Sequence, residues 1–151
     1  MLAAVSASAF AVGFAVAAGL AGSIQVAVSG ALGRRVGVLE AAAFGGIVAA
    51  AILVAVALVA RNGIGVVASF REPPWLWIGG LMGAIVVTAI TYSPPRIGTF
   101  ATIGLLVASQ LAMGVVIDAL GLFGLERIPI SWERIVGLTL LAGGAVLVLK
   151  R

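Results

Sequence analysis

The sequence predicts an all-α membrane protein, in which residues 1–151 form a single transmembrane domain of about five membrane-spanning helices. The chain has nine basic and five acidic residues, and the stretches between their clusters are almost purely apolar. Hydrophobic residues make up 63% of the chain and the mean hydropathy is +1.29. About a quarter of the residues in a soluble domain are charged. A bilayer therefore suits this composition better than water.

Five apolar stretches, each with at most one charged residue near an end, are candidates for these helices. A helix rises about 1.5 Å per residue and the hydrocarbon core is about 30 Å thick, so roughly 20 apolar residues cross it. This rule places spans 1 to 5 at residues 3–32, 38–60, 74–93, 97–118 and 135–149. Span 1 is long enough to tilt or to extend beyond the bilayer. Span 5 is the shortest, and Arg134 and Lys150 must extend outward along their methylene stems.

The connections between spans fit this division. Pro74 suits the first turn of span 3, and Trp75 and Trp77 are typical of a membrane interface. Longer loops are predicted at 61–73 and 119–134. The first charge of the chain is Arg34, so span 1 lacks the basic start of a signal peptide and is expected to be retained.

The composition excludes several function classes. Without cysteine or histidine there is no thiolate and no imidazole base, and the commonest metal ligand is absent. No glycine-rich phosphate loop, metal-ligand spacing or nucleophile paired with a base is present, so we expect neither an enzyme nor a cofactor or metal. The net charge of +4 is spread over helix ends, which argues against a nucleic-acid partner.

The basic residues are divided almost equally between the two membrane faces. Five spans put the termini on opposite faces. The N-terminal face then carries Arg61, Arg71, Arg127 and Arg134, and the other carries Arg34, Arg35, Arg96, Lys150 and Arg151. Either the positive-inside rule acts narrowly here, or copies insert in both orientations and pair antiparallel.

Two amides within the predicted spans are candidates for substrate binding. Gln25 lies in span 1 and Gln110 in span 4. An amide in lipid needs hydrogen-bond partners, so both should face the protein interior. They either bond between helices or line a polar, uncharged substrate cavity together with Ser29, Tyr92 and Ser109.

Acidic residues are absent from the middle of every span. Asp118 closes span 4, where it is either a solvated end residue paired with Arg127 or Arg134, or a cation or proton site. Glu40 opens span 2, a position that the helix dipole favours for an acid.

Small residues recur at helical spacing and predict close helix packing. In span 1 they follow an i, i+4 ribbon that consists of Ala3, Ala7, Ala11, Ala15, Gly19, Ser23, Ala27 and Ala31. Gly79 and Gly83 make a second such face in span 3. Faces of this kind let two membrane helices approach closely.

Several segments together indicate a family. They are Pro74-Trp75-Leu76-Trp77-Ile78-Gly79-Gly80-Leu81-Met82-Gly83-Ala84, Pro95-Arg96-Ile97-Gly98, Ser109-Gln110, Asp118, Gly121-Leu122-Phe123-Gly124 and Ser131 to Leu149, with Gln25 and Leu32-Gly33-Arg34 as looser matches. On these residues the chain resembles the small YdcZ-like family, a five-helix family of the drug/metabolite transporter superfamily. The resemblance covers most of the chain, and the block 73–124 is its specific part.

The resemblance implies a half-transporter for a small molecule that pairs antiparallel with a second copy or with a related chain. Ser29 departs from the family, which often has an asparagine in this region. The four-helix multidrug relatives use a glutamate in span 1, whereas span 1 here has no acid. Their proton-exchange mechanism is therefore not transferred to this chain.

Two functions remain open from the sequence. The first is a dimeric exporter in the bacterial inner membrane that works by alternating access, with lipid and a second copy as its partners and an unidentified small molecule as its substrate. The alternative is a non-transporting assembly factor, or the partner subunit of a heterodimeric transporter.

Overall fold

The computed structural model describes the backbone of residues 2–61 and 64–149, and the side chains of these except residues 2–9, 61, 64, 67 and 148–149. Throughout this part of the chain, the regular structure is helical, which confirms the all-α prediction. The helices are α1 (Leu2–Val36), α2 (Val38–Arg61), α3 (Ile64–Ser69), α4 (Ile78–Tyr92), α5 (Pro94–Ile97), α6 (Thr99–Leu120) and α7 (Trp132–Leu149), with 3₁₀ turns at Pro74–Trp77 and Leu122–Gly124.

Four helical segments in the described residues are long and apolar enough to cross a membrane. They are Phe10–Val36, Val38–Ala60, Pro74–Ile97 and Thr99–Leu120. Spans 1 to 4 are thus confirmed as helices of membrane-crossing length. The helix α7 has 18 residues and contains the predicted span 5. Its crossing of the membrane stays a prediction.

The turn between α1 and α2 is a single residue. The helix α1 continues through Arg34 and Arg35, whose positive charges are favourable at a helix C-terminus. Gly37 then reverses the chain with a φ of 105°, a conformation that costs little only for glycine. Its N–H donates to the Gly33 carbonyl at 3.1 Å. Glu40 lies in the first turn of α2, as the sequence predicts.

The connection at 61–73 is not wholly the irregular loop that the sequence predicts. It contains α3, because the apolar run from Ile64 has neither proline nor charge to end a helical turn. The Ser69 hydroxyl donates to the Gly65 carbonyl at 2.9 Å within α3. The 3₁₀ turn that opens span 3 brings Trp77 edge-on to Phe70, with 6.2 Å between the ring centroids.

The chain forms two compact units, which divide between Pro95 and Arg96. In the first unit α1, α2 and α4 pack against one another. Its buried side chains gather where α1 ends, α2 begins and α4 ends; they are Val26, Ala41, Ile90, Thr91 and Pro94. The rest of these helices exposes large apolar side chains, as expected of a surface that lipid covers.

The second unit is a hairpin of α6 and α7. Gly121 ends α6 in the left-handed conformation, with φ 63° and ψ 39°. The following segment folds back over that end, because the Ile128 N–H donates to the Asp118 carbonyl at 2.9 Å and Arg127 Nε donates to the Ala119 carbonyl at 2.8 Å. Carbonyls left free at a helix end are thereby satisfied. The helix α7 begins at Trp132, three residues before the predicted start of span 5.

Candidate functional site

The two candidate amides lie on different units. Gln25 is exposed on α1 and Gln110 is exposed on α6. Within the described part of the chain, no hydrogen bond to either amide is formed. An amide that faces hydrocarbon in this state costs several kcal/mol per unsatisfied group. Each amide therefore requires a hydrogen-bond partner if its helix spans the membrane.

The three other predicted cavity residues differ in what their hydroxyls do. Ser29 lies one helical turn after Gln25 and is half-buried, so the two share a face of α1. The Ser109 hydroxyl donates to the Leu105 carbonyl at 2.8 Å, which occupies its donor within α6. Tyr92 is half-exposed and borders a groove of about 470 Å³ on α4, with Ala84, Ile85, Thr88, Ala89 and Ser93 as the other lining residues.

The structure thus brings Gln25 and Ser29 together on one helix. Ser109 and Gln110 are neighbours along α6, and residues one apart on a helix do not face the same way. Tyr92 belongs to the first unit and Gln110 to the second. A common cavity formed by all five residues stays a prediction.

Asp118 forms an ion pair with Arg134, one of the two arginines that the sequence offered as partners. Arg134 Nη1 lies 3.0 Å from Asp118 Oδ2, and both side chains are about one-third exposed, at 36% and 35% respectively. Arg127 instead closes the end of α6. The ion pair stands beside a groove of about 370 Å³ between α6 and α7, which Leu111, Gly114, Val115, Gly137, Leu138 and Leu141 line. Whether Asp118 also binds a cation or proton stays a prediction.

Close packing of α1 against the end of α4 and the start of α5 lies at two glycines that the sequence did not single out for packing. A Cβ atom on Gly30 would lie 2.9 Å from Pro94 Cβ, and one on Gly33 would lie 2.7 Å from Thr91 Cγ2. Gly30 and Gly33 are three residues apart, as are Thr91 and Pro94. The equal spacing lets each glycine face one of these two residues.

The predicted packing glycines have open surroundings within the chain. A Cβ atom on Gly19, Gly79 or Gly83 would meet no described atom within 4 Å. No described helix of the same chain therefore packs closely on these positions. Packing against a second chain stays a prediction.

Ser131 and Glu133 organise the start of α7. Hydrogen bonding from the Ser131 side chain is the main cause that lowers the pKa of Glu133, and hydrogen bonding from the Glu133 backbone adds to it. The Ile135 N–H donates to the Ser131 carbonyl at 3.3 Å. Glu133 is exposed and lies before the predicted span 5.

Long apolar helices with few, separated polar groups define this protein as a multi-pass helical membrane protein. Its sequence matches the model of the family described as "Putative inner membrane exporter, YdcZ" over residues 10–147, and the chain belongs to that family. The predicted family resemblance is therefore confirmed. No curated protein and no solved structure matches the chain.

Membership in this family gives the location and supports a transporter role. The chain is a multi-pass protein of the inner membrane, as the sequence predicts. An exporter family implies a transporter rather than an enzyme. The dimer and the transport mechanism are matters of proposal.

Proposed function

We propose that the protein exports a small molecule as an antiparallel dimer by alternating access, with the substrate bound near the middle of the membrane. The exposed amides of Gln25 and Gln110 are the observation that carries the proposal. Each lies on an apolar helix without a hydrogen-bond partner in the described chain. In a bilayer such groups persist only where they face protein or a polar cavity.

A second copy of the chain supplies the protein surface that the Gln25 and Gln110 amides need. Many transporters consist of two repeats of opposite orientation with the substrate site between them at mid-membrane. Two copies of this chain reproduce that arrangement when they insert in opposite orientations. The division of basic residues, four on one face and five on the other, supports insertion in both orientations.

The polar groups favour a substrate bound by hydrogen bonds. Gln25, Ser29 and Gln110 offer amide and hydroxyl groups, and α1 contains no acidic residue. Each amide offers two N–H donors and one carbonyl acceptor. A neutral, polar small molecule matches these groups better than a cation that needs a carboxylate.

Transport measurements on amide variants test the binding site. Gln25→Ala and Gln110→Ala should each lower transport about 3- to 30-fold, the equivalent of one interhelical hydrogen bond of about 0.6–2 kcal/mol. Ser23→Ala is the matched control on α1, because the Ser23 hydroxyl already donates to the Gly19 carbonyl at 3.1 Å. Unchanged transport in folded amide variants would exclude these residues from the site.

Reporter fusions at the C-terminus test the dimer orientation separately. Copies that insert both ways should give comparable signals from a cytoplasmic and a periplasmic reporter. A signal from one side alone excludes the antiparallel homodimer. If transport then requires a second, related chain, the protein is the partner subunit of a heterodimer.

A further inference from the structure

An apolar lane follows the seam between α6 and α7. Asp118 lies opposite Arg134 at one end, and the first groove continues from this ion pair between Gly114 and Gly137 to Leu141. A second groove of about 460 Å³ shares Leu141 and is lined by Phe100, Ile103, Gly104, Val107, Leu140, Gly144 and Ala145. The two grooves therefore adjoin at Leu141, and together they are called the lane, which has a charged end.

The lane has the length of a membrane span. From Asp118 to Phe100 the helix α6 rises about 27 Å, which is close to the hydrocarbon thickness of about 30 Å. One leaflet provides about half of that thickness. A lipid whose polar head lies at Asp118 and Arg134 would therefore place one acyl chain along α6 for about ten residues, through the first groove to its border with the second.

The Asp118–Arg134 ion pair favours lipid head groups of a particular charge. Asp118 and Arg134 share a single short contact and are each about one-third exposed, so both have capacity for further bonds. A zwitterionic head places its phosphate on the guanidinium and its ammonium on the carboxylate. An anionic head also places its phosphate on Arg134, but it has no ammonium to offset its negative charge beside Asp118.

We propose that the α6–α7 lane binds a membrane phospholipid with a zwitterionic head, the head on the Asp118–Arg134 pair and one acyl chain in the groove between the helices. This binding is independent of the proposed transport cycle. The charge complementarity of the ion pair and the apolar lining beside it favour a phospholipid over a second copy of this chain as the occupant.

Native mass spectrometry of the full chain in mild detergent tests the proposal with two lipids of identical acyl chains, phosphatidylethanolamine and phosphatidylglycerol. The wild type should bind phosphatidylethanolamine about five-fold more tightly, the size of effect that one partly exposed charge produces. Asp118→Asn should abolish this preference, because it removes the carboxylate that attracts the ammonium of phosphatidylethanolamine. An equal affinity for both lipids in the wild type would overturn the proposal.

Two glycine variants on α7 test the groove itself. Gly137→Leu fills the first groove and should displace phosphatidylethanolamine, whereas Gly143→Leu lies outside both groove linings and should leave binding intact. A Cβ atom on either glycine would meet no described atom within 4 Å, so the pair is matched. Equal losses in the two variants, or a second protein chain bound in place of lipid, would contradict the assignment. If Gly137→Leu does not fold, Gly114→Leu fills the same groove from α6.

Discussion

At the scale of single residues, the packing of the first unit depends on a glycine, whose lack of a Cβ atom allows two helices to approach closely. Gly33 lets α1 approach α4 so closely that a Cβ atom would lie 2.7 Å from Thr91 Cγ2. Thr91 is fully buried, and its hydroxyl donates to the Val87 carbonyl at 2.8 Å. Its methyl group is therefore held against α1 and has little freedom to yield.

Gly33→Ala should destabilise the protein. Overpacking costs about 1–3 kcal/mol, whereas replacing glycine with alanine inside a helix gains about 1 kcal/mol. The free-energy cost of the clash therefore equals or exceeds the gain in helix propensity, and the melting temperature in detergent should not rise. Gly22→Ala, where a Cβ atom would meet no described atom within 4 Å, should show the gain alone.

The double variant Gly33→Ala/Thr91→Ser identifies the cause of this loss. Serine keeps the hydroxyl of Thr91 but lacks the methyl group that clashes, so stability should partly recover. The carbonyl oxygen of residue 91, at 3.3 Å from the added Cβ atom, limits the recovery. Equal melting temperatures for Gly33→Ala and Gly22→Ala would show that α1 and α4 are not in close contact.

Glu133 gives a prediction about pH. Its folded pKa lies below the ordinary value of 4.5, mainly because the Ser131 hydroxyl donates to its carboxylate. The stabilisation of the start of α7 is therefore present above the ordinary value and is lost as the pH falls through the lowered one. Ser131→Ala should raise the pKa of Glu133 toward 4.5, as measured by carbon-13 NMR of the labelled carboxyl group.

Ser69→Ala is the control for that titration, since its hydroxyl bonds to the Gly65 carbonyl and not to an acid. It should leave the pKa of Glu133 unchanged. An unchanged pKa in Ser131→Ala would mean that the hydroxyl does not bond to the carboxylate in solution.

At the scale of elements, the sequence predicts the long helices well because lipid imposes a simple length rule. Spans at 38–60 and 97–118 correspond to α2 (Val38–Arg61) and α6 (Thr99–Leu120), within about two residues at each end. Charges and glycines mark these ends. The short helix α3 was missed because a six-residue apolar run has too few turns to show a period.

Contacts between elements were harder to predict than the elements themselves. Arg127 and Arg134 both follow Asp118 at loop distance, and nothing in their spacing decides which one pairs with it. The backbone turn at Gly121 decides it, because Arg127 folds over the end of α6 and Arg134 starts α7 opposite Asp118. The i, i+4 ribbon through Gly19 likewise gave no indication of Gly30 and Gly33, where α1 contacts α4.

The ion pair between α6 and α7 should contribute little to stability. Both side chains are about one-third exposed, and partly exposed pairs of this kind are worth about 0–1 kcal/mol. A double-mutant cycle of Asp118→Ala and Arg134→Ala, followed by unfolding in detergent, should give a coupling energy within that range. A coupling energy above about 3 kcal/mol would mean that the pair is buried from both water and lipid head groups.

At the scale of the whole molecule, the proposed dimer predicts a contact between the α1 helices of two copies of the chain. The chain has no cysteine, so a single introduced cysteine reports on one contact only. Gly19 is the central residue of α1 (Leu2–Val36), and a Cβ atom there would meet no described atom within 4 Å. It also lies on the small-residue ribbon that predicts close approach of two helices.

Cross-linking of single-cysteine variants should distinguish an antiparallel from a parallel α1 pair. Antiparallel helices that cross at their centres bring the two copies of residue 19 together, so Gly19→Cys should form a disulfide-linked dimer on oxidation. Ala11 lies on the same ribbon about 12 Å along the helix, which separates its two copies by about 24 Å in an antiparallel pair. A disulfide needs Cβ atoms about 3.5–4.5 Å apart. Ala11→Cys should therefore link poorly to itself but efficiently to Ala27→Cys when the two variants are co-expressed.

A parallel pair would link Ala11→Cys to itself as readily as Gly19→Cys, and that result would contradict the antiparallel dimer.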